Sequence, residues 1–245
     1  MTAPVFLADP AQLALGTVVL DGPEGRHAVS VRRLRAGEEL VLTDGAGTGA
    51  YGTVTSVEGK DRLEVEITDV RADPEPRPRL TVVQALPKGD RGELAVETMT
   101  ETGVDAIVPW AASRCVTQWK AERGLKSLAK WRNTAREAGK QSRRTRFPEV
   151  ADLASTKQVC ELLSRAALPA VLHEEGAEPL ASAPLPADGE LVLVVGPEGG
   201  VSPEELAAFA EAGAKPYRLG PSVLRTSTAG TAATALLLGR TGRWG

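Results

Sequence analysis

Two glycine-rich loops in the last quarter of the chain have the composition of a ligand-binding site. The apolar run Leu191–Val195 leads into Gly196-Pro197-Glu198-Gly199-Gly200, and a second short strand leads into Leu219-Gly220-Pro221. Glycine leaves the backbone uncovered, so a ligand can approach main-chain groups closely. In open α/β sheets, ligands bind beyond the carboxyl ends of the strands, which is where both loops fall. The pattern predicts a binding site built largely from backbone.

Basic residues are concentrated in two segments. Between Lys120 and Arg146 there are ten bases and two acids, so this segment carries a charge of +8 in a chain whose net charge is −3. A smaller cluster near the N-terminus contains Arg26, Arg32, Arg33 and Arg35. Clustered cations are typical of surfaces that bind nucleic-acid phosphates. The alternative for either cluster is a solvated helix face.

The elements that must position these residues fall into two groups. Short β-strands separated by turns indicate a small β-barrel-like domain, with strands predicted at Thr17–Leu20, Glu39–Thr43, Tyr51–Val57 and Leu63–Ile67. Three prolines at alternate positions in Asp73–Pro78 indicate a semi-rigid linker. Beyond it, apolar runs alternate with helical stretches, which is typical of a parallel sheet covered by helices. We expect a first domain over residues 1–72, a linker over 73–79 and an α/β domain over 80–245.

The strands and helices of the second domain follow from the same patterns. Strands are predicted at Leu80–Leu86, Ala106–Pro109, Pro169–His173, Leu191–Val195 and Tyr217–Leu219, and helices at Glu93–Thr102, 125–141, from Ser202 to Gly213, and at about Thr228–Gly239. The helix over 125–141 is expected to be amphipathic, with its bases on the solvent side and an apolar face formed by Leu125, Leu128, Ala135 and Ala138. Ser202 and Glu205 form a capping box at the start of the next helix. The last helix is almost wholly Ala, Leu, Thr and Gly, which predicts a second protein surface and hence a homodimer.

Length and composition exclude several classes of function. A chain of 245 residues with 42% hydrophobic and 25% charged residues is expected to be folded and soluble. No apolar run reaches the roughly 18 residues of a membrane span, and the N-terminus lacks a secretion signal. Two distant cysteines and two histidines favour neither disulfides nor a zinc site, so we expect no metal and a cytoplasmic location. The nine aromatic residues argue against stacking platforms for single-stranded RNA.

A third glycine-rich motif resembles a cofactor-binding loop in composition but not in context. Asp44-Gly45-Ala46-Gly47-Thr48-Gly49 follows a predicted strand, as in a dinucleotide-binding or Rossmann-type methyltransferase loop. Such a loop must open a helix, whereas the next residues, Tyr51–Val57, are rich in strand formers. The motif is therefore interpreted as a hairpin turn. Since the chain also has no Walker-type sequence, hydrolysis of nucleoside triphosphates has no support.

The paired glycine loops resemble the C-terminal signatures of the ribosomal RNA small subunit methyltransferase E family, part of the SPOUT superfamily. The matching residues are Val194–Gly200 and Leu219–Thr226. The stretch Arg26–Arg35, with Gly37 and Asp44-Gly45, is similar to the family's N-terminal PUA-like barrel, and shorter matches lie at Lys88, Glu97, 102–104, Pro109, 113–114, Ala138 and 141–144. The family usually has Thr-Glu-Thr-Ala where this chain has Thr226-Ser227-Thr228-Ala229. Any role of that glutamate therefore cannot be assigned to Ser227.

The resemblance implies a trefoil-knotted α/β domain that binds S-adenosylmethionine, acts as a homodimer and follows a PUA-like RNA-binding domain. The implied reaction is methylation of N3 of one uridine in the decoding region of 16S rRNA, within the small ribosomal subunit. The implied cofactor-binding residues are Leu172, His173, Gly196, Pro197, Glu198, Gly199, Gly200, Leu219, Gly220, Val223, Leu224 and Thr226. The expected RNA contacts are Arg26, Arg32, Arg33, Arg35, Lys88, Arg114, Arg143, Arg144 and Arg146.

Two side chains are candidates for the chemical step. Arg225 could stabilise the anion that forms when N3 loses its proton, or bind the phosphate of the target nucleotide. Glu198 is the nearest carboxylate that could accept the proton, with a loop-structuring role as the alternative. His173 is interpreted as a hydrogen-bonded loop residue, with proton handling as the alternative. A transfer RNA ribose methyltransferase of the same superfamily and a non-catalytic RNA-binding ribosome assembly protein are the alternative functions.

Overall fold

The computed structural model describes residues 3–244, which form two compact units. The first unit comprises the chain up to Glu75 together with Arg136–Phe147, and the second comprises Pro76–Ala135 and the chain from Pro148 onward. The stretch 136–147 groups with the first unit through hydrogen bonds. The carbonyl of Thr145 accepts from the Thr43 hydroxyl at 2.8 Å, and the N–H of Phe147 donates to the carbonyl of Gly45 at 2.8 Å. The first unit is therefore built from two separate stretches of chain.

The first unit contains one five-stranded sheet. Its strands are β1 (Val5–Leu7), β2 (Gly16–Leu20), β3 (Glu39–Thr43), β4 (Thr48–Glu58) and β5 (Arg62–Ala72), in the order β1-β3-β4-β5-β2. All pairings are antiparallel except that of β1 with β3. A short 3-10 helix covers Pro10–Gln12, and helix α1 (Gly22–Arg26) continues into a π-helical turn at His27–Val31. Alternating strand residues such as Leu40, Leu42, Leu63 and Val65 fill the core.

The glycine-rich stretch after β3 is a hairpin turn, as predicted. Strands β3 and β4 pair in antiparallel register on either side of it, and Gly45 and Gly47 have φ angles of +73° and +113°. The Asp44 carboxylate accepts from the N–H groups of Ala46 at 2.7 Å and Thr48 at 3.1 Å. Burial raises the pKa of Asp44, but these hydrogen bonds outweigh it and hold the pKa below its ordinary value.

The second unit is a parallel sheet with helices. Its strands are β6 (Arg79–Ala85), β7 (Ala106–Trp110), β8 (Glu149–Val150), β9 (Leu168–Leu172), β10 (Glu178–Pro179), β11 (Glu190–Val195) and β12 (Lys215–Arg218), all parallel, in the order β10-β12-β9-β11-β6-β7-β8. Helices α2 (Arg91–Thr102), α4 (Thr156–Leu163), α5 (Pro203–Glu211) and α6 (Thr226–Arg240) accompany them, with a 3-10 turn at Leu180–Ser182. The central strands are buried along their length, as expected of a sheet covered on both faces.

The remaining helix, α3 (Ala121–Gln141), begins four residues before the predicted start. Two expectations about its faces are wrong. Leu125 is 69% exposed, and the buried face is formed by Leu128, Trp131 and Ala135. Lys140 is buried, because its ammonium lies 2.8 Å from Glu24 and 3.0 Å from Glu137. The bases of this helix therefore do not all face solvent.

Helix α6 has one buried and one half-exposed face. Ala229, Ala233, Leu237 and Leu238 are buried, while Ala232, Ala235 and Leu236 are half-buried. The hydroxyls of Thr231 and Thr98 lie 2.6 Å apart, joining α6 to α2. No helix in residues 3–244 is long and apolar enough to cross a membrane.

Candidate active site

The cavity at the carboxyl edge of the parallel sheet collects the predicted loops. Strands β9, β12 and β11 end at Leu172, Arg218 and Val195, and because neighbouring strands are parallel, these ends lie at the same edge. The loops that follow them enclose a cavity of about 580 Å³. Its size is within the range of about 300–1,000 Å³ that is typical of small-molecule sites.

All twelve residues expected to bind the cofactor line this cavity, together with Arg225. They come from three loops: Leu172–Glu174, Gly196–Val201 and Leu219–Thr226. Five of the twelve are glycine or proline, four of them in the loop after β11, so much of the lining is uncovered backbone. Ser227 is buried in the first turn of α6 and does not line the cavity.

The first glycine loop is held between β11 and α5 by local hydrogen bonds. Gly200 has a φ angle of +72°, which a side chain would strain, and its N–H donates to the carbonyl of Pro197 at 2.9 Å. The Ser202 hydroxyl accepts from the N–H of Glu205 at 3.2 Å, and the Glu205 carboxylate accepts from the N–H of Ser202 at 3.1 Å. This is the capping box that the sequence predicts.

The carboxylate of Glu205 also holds a segment that the sequence pattern does not reveal. Its Oε1 accepts from the N–H of Ser113 at 2.8 Å and from the hydroxyl of Thr156 at 3.3 Å. Glu205 is only 5% exposed, so these bonds are largely shielded from water. One buried carboxylate thus joins the segment after β7, the start of α4 and the start of α5. Capping boxes are visible in a sequence, but their tertiary partners are not.

The second glycine loop ends in the N-cap of α6. Arg225 is the N-cap residue, and its carbonyl accepts from the N–H groups of Thr228 and Ala229, both at 2.9 Å. The buried amide of Gln84, on β6, donates to the carbonyl of Thr226 at 3.3 Å. These contacts fix the backbone at residue 225 while its guanidinium remains exposed at the cavity.

Four arginines line the cavity: Arg91, Arg114, Arg218 and Arg225. None of them forms an ion pair with another residue in the range 3–244. Arg114 donates to the carbonyl of Gly199 at 3.1 Å. Arg91 and Arg218 are not among the site residues predicted from the sequence. A signal existed for Arg218, because it is the last residue of the strand that enters the second glycine loop.

The two acid–base candidates have different surroundings. Oε1 of Glu198 accepts from the N–H of Lys88 at 3.1 Å, which ties the β6–α2 loop to the first glycine loop. His173 is half-buried, and its Nδ1 accepts from the N–H of Glu175 at 3.2 Å, as a hydrogen-bonded loop residue would. Burial, with further effects from Glu198 and Glu205, raises the pKa of the nearby Cys115 thiol despite hydrogen bonds that lower it. Within residues 3–244, no cluster of three His, Cys, Asp or Glu side chains could hold a metal ion.

The predicted RNA contacts of the first unit have unequal surroundings. Arg26, Arg32, Arg33 and Arg35 are exposed. Arg143 is half-buried with a φ angle of +63°, and its partial burial and the positive charge of Arg32 lower its pKa.

Arg146 is expected to contact RNA, but the structure gives it internal contacts. It packs against Gly47 and donates to the carbonyl of Asp73 at 3.0 Å. The segment that contains Arg143, Arg144 and Arg146 lies beyond the end of α3 at Gln141. Of these predicted contacts, Arg146 has a clear structural role.

Comparison with known proteins agrees with this architecture. Residues 73–238 match the family described as RNA methyltransferase domain, and residues 20–68 match the one described as RNA methyltransferase PUA domain. These two matches define the class of protein as an RNA methyltransferase with an attached PUA domain.

Relatives that match nearly the full length of the chain narrow the class to a single family. The Ribosomal RNA small subunit methyltransferase E of Mycobacterium bovis is 45% identical over 100% of this chain and 94% of its own length. The Bacillus subtilis protein of the same name is 29% identical over 87% of this chain and 86% of its own. The crystal structure of the Neisseria gonorrhoeae protein of that name, bound to S-adenosyl methionine, has a TM-score of 0.84 with 32% identity over 98% of each chain. The chain belongs to the ribosomal RNA small subunit methyltransferase E family.

Proposed function

We propose that this chain transfers a methyl group from S-adenosylmethionine to N3 of one uridine in 16S rRNA, in the cytoplasm and within the small ribosomal subunit. The observation that carries the proposal is the cavity of about 580 Å³ whose walls are three backbone-rich loops. Its lining includes four arginines that form no ion pair with any residue the structure describes. The names of the relatives and the cofactor bound in the Neisseria gonorrhoeae structure support it.

The residues of the cavity suit S-adenosylmethionine. Main-chain groups of Leu172–Glu174, Gly196–Gly200 and Leu219–Thr226 would bind the adenine edge and ribose, while Leu172, Leu219 and Leu224 offer apolar contacts. A Cβ at Gly200 or Gly220 would be strained, because both have φ angles above +70°. When bound, the cofactor supplies a methyl group activated on a sulfonium. The trefoil knot implied by the resemblance stays a prediction.

Arg225 is the proposed electrostatic group of the chemical step. Uridine N3 carries a weakly acidic proton, and its removal leaves negative charge shared with the neighbouring carbonyl oxygens. A guanidinium is always charged and donates two parallel hydrogen bonds to oxygen acceptors. Because the backbone of Arg225 is fixed at the N-cap of α6, its charge is held close to the cavity before the reaction begins.

Glu198 is the proposed proton acceptor. Oε1 of its carboxylate accepts a hydrogen bond from Lys88, while the side chain is exposed beside the cavity. A carboxylate held in this way could receive the N3 proton without moving the loop. Glu198→Gln should lower turnover with little effect on cofactor affinity, whereas a purely structural glutamate would change affinity as well.

Basic side chains are proposed to position the RNA through its phosphates. In the first unit this role falls to Arg26, Arg32, Arg33, Arg35, Arg143 and Arg144, and in the second to Lys88 and Arg114. Arg146 adds positive charge and also packs against Gly47 in the hairpin turn. Arg143 and Arg32 repel one another, so an anion bound between them would be favoured. Contacts of this kind fix register and orientation and carry no sequence information.

A homodimer is proposed from the half-exposed face of α6. Ala232, Ala235 and Leu236 share this face, and Leu94 of the adjoining α2 is 45% exposed. Burial of apolar surface contributes roughly 25 cal/mol per Å² to the free energy of association, so a second copy of the chain packed on this face would stabilise a dimer. We expect light scattering to give the mass of two chains, and Leu236→Asp to give one. A fully active wild-type monomer would contradict the proposal.

The reaction is tested directly with purified components. Small subunits and naked 16S rRNA from cells lacking the chain are incubated with labelled S-adenosylmethionine, and the digested nucleosides are identified by mass spectrometry. We expect 3-methyluridine, and about a tenfold or greater loss of turnover in Arg225→Lys, which keeps the charge but loses the planar geometry. A methyl group on a ribose oxygen would indicate a ribose methyltransferase. Binding of RNA without cofactor binding would indicate an assembly protein.

A further inference from the structure

A second cavity of about 370 Å³ lies beside the end of β6. Its walls come from the β6–α2 loop, the first turn of α2, the segment before α3 and the first half of α3. None of the residues expected from the glycine loops or the basic N-terminal cluster lines it. The second cavity is therefore lined by a different set of residues from the first.

Two tryptophans form the apolar side of this cavity. The rings of Trp119 and Trp131 pack edge to face with centroids 5.0 Å apart. Trp131 is buried, whereas Trp119 is half-buried and so keeps part of its indole accessible. Leu86 and Pro87 complete the apolar lining. A Cβ on Gly92 would lie 2.7 Å from the Trp131 ring, so α2 can begin against the indole only with glycine there.

The lining of the cavity also carries cationic side chains. Arg123, Lys126 and Lys130 line it from successive turns of α3, with Glu93 as the one acidic lining residue. Lys126 pairs with Glu122 at 2.8 Å. Arg123 and Lys130 form no ion pair within the described part of the chain, and both are exposed. Two cations without ion pairs and an accessible indole in one cavity combine the groups that bind a phosphate and a planar base.

The geometry of the cavity is fixed by the fold. The Thr117 hydroxyl donates to the carbonyl of Pro87 at 2.7 Å, which joins two of its walls. Ala121, which links Trp119 to α3, has a φ angle of +44°, an uncommon conformation for a residue with a side chain. Such strain is found where the surrounding structure requires one particular placement. Trp119 is thus positioned before any ligand arrives.

One hydrogen bond connects the walls of the two cavities. Leu86, Pro87 and Gly89 line the second cavity, while Lys88 between them donates its N–H to Glu198 of the first. Both cavities belong to the second unit and to the carboxyl edge of its sheet. An RNA strand with one nucleotide in the first cavity could therefore place another in the second.

We propose that the second cavity binds an unpaired base of the RNA substrate, stacked on Trp119, with Arg123 and Lys130 contacting the adjoining phosphate. This inference rests on the proposed function, because it assumes that the substrate is RNA. Nine aromatic residues argue against stacking platforms on composition alone, but the fold brings two of the four tryptophans to one basic cavity. Recognition of a base outside the reacting site would help to select one uridine among many.

The test compares Trp119→Ala with Trp119→Phe and with a control, Trp244→Ala, whose indole is 56% exposed elsewhere. We expect Trp119→Ala to raise the KM for naked 16S rRNA about tenfold, since base–aromatic stacking is worth about that much. Trp119→Phe should recover most of the loss, and Trp244→Ala should change nothing. Affinity for S-adenosylmethionine, measured by calorimetry, should stay at the wild-type value in all three. An unchanged KM in Trp119→Ala would overturn the proposal.

A second variant tests the same cavity in case Trp119→Ala disturbs the fold. Arg123→Glu with Lys130→Glu alters only exposed side chains and should weaken RNA binding and reduce its salt dependence. If Trp119→Ala weakens cofactor binding and RNA binding equally, its role is structural and the proposal fails. If Trp119→Ala raises the KM for assembled subunits and leaves the KM for naked 16S rRNA unchanged, the cavity binds a protein partner and the proposal again fails. If wild-type protein methylates no 16S rRNA while Trp119→Ala still loses RNA affinity, the proposed reaction is wrong and the base site stands.

Discussion

Removing the carboxylate of Glu205 should lower the free energy of unfolding by an amount that follows from its hydrogen bonds. This carboxylate accepts hydrogen bonds from the N–H of Ser202, the N–H of Ser113 and the hydroxyl of Thr156. Glu205→Ala removes all three acceptors. Ser202 is 6% exposed, so its N–H cannot turn to water, whereas Ser113 and Thr156 are more accessible.

The expected loss of stability is the sum of two effects. A buried N–H left without an acceptor costs roughly 1–3 kcal/mol, and each lost bond to an accessible group costs about 0.5–1.5 kcal/mol. We therefore expect Glu205→Ala to lower the free energy of unfolding of the second unit by about 4 kcal/mol. Glu205→Gln keeps one carbonyl acceptor and should lose about half as much. Cofactor affinity should fall too, since the segment of Ser113 carries Arg114 to the cavity.

Tryptophan fluorescence during urea denaturation is a selective assay, because all four tryptophans lie in the second unit. The control is Glu204→Gln, which changes the neighbouring exposed carboxylate on the same helical turn. Hydrogen bonds at the start of the helix, with the charge of Arg114, lower the pKa of Glu204, so this control should lower the unfolding midpoint slightly and far less than Glu205→Ala does. If Glu205→Ala and Glu204→Gln give the same midpoint, the carboxylate of Glu205 does not hold these segments together.

Three further predictions concern the cofactor, the RNA and the hairpin. Gly199→Val and Gly220→Val should each abolish S-adenosylmethionine binding in calorimetry while the protein stays folded, because Gly199 lies against Arg114 and Gly220 has a φ angle of +75° at the cavity; unchanged binding in both would remove the site assignment. Arg143→Ala with Arg144→Ala should weaken RNA binding for all sequences and flatten its salt dependence, with cofactor affinity unchanged; wild-type affinity and salt slope would identify a solvated surface. The lowered pKa of Asp44 means that its contribution to stability is complete above the unfolded value of about 4 and is lost as the pH falls through the folded pKa. Asp44→Asn should remove that part of the pH dependence, measured by circular dichroism between pH 2 and 6, and an unaltered pH profile would contradict the assignment.

Much of the fold follows from local patterns. Strand β3 has the predicted bounds, and α5 begins at its capping box, because both features depend on a few adjacent residues. The glycine loops were predicted to form one site, since strand ends in a parallel sheet share an edge. Strands β8 and β10 were not predicted, because each has only two residues and owes its conformation to a neighbour. Helix α4 was also missed, although Ser155 and Gln158 form a capping box before it.

What could not be predicted depends on contacts between distant residues. The buried position of Lys140 requires Glu24, which is 116 residues away in the chain. Arg91 reaches the cavity from the first residue of α2 and sits in no motif. The pairing of Trp119 with Trp131 depends on the backbone turn at Ala121. In each case the sequence contains the residue, but the fold determines what lies beside it.

Primer extension on 16S rRNA tests the central claim most directly, because a methyl group on N3 blocks the base-pairing edge and stops the polymerase. RNA is compared from cells with the wild-type chain, from cells lacking it, and from the latter complemented with wild-type or Arg225→Lys protein. We predict one stop at a uridine in the decoding region that disappears without the chain, returns with the wild-type protein and stays weak with Arg225→Lys. Identical extension patterns with and without the chain would contradict the claim.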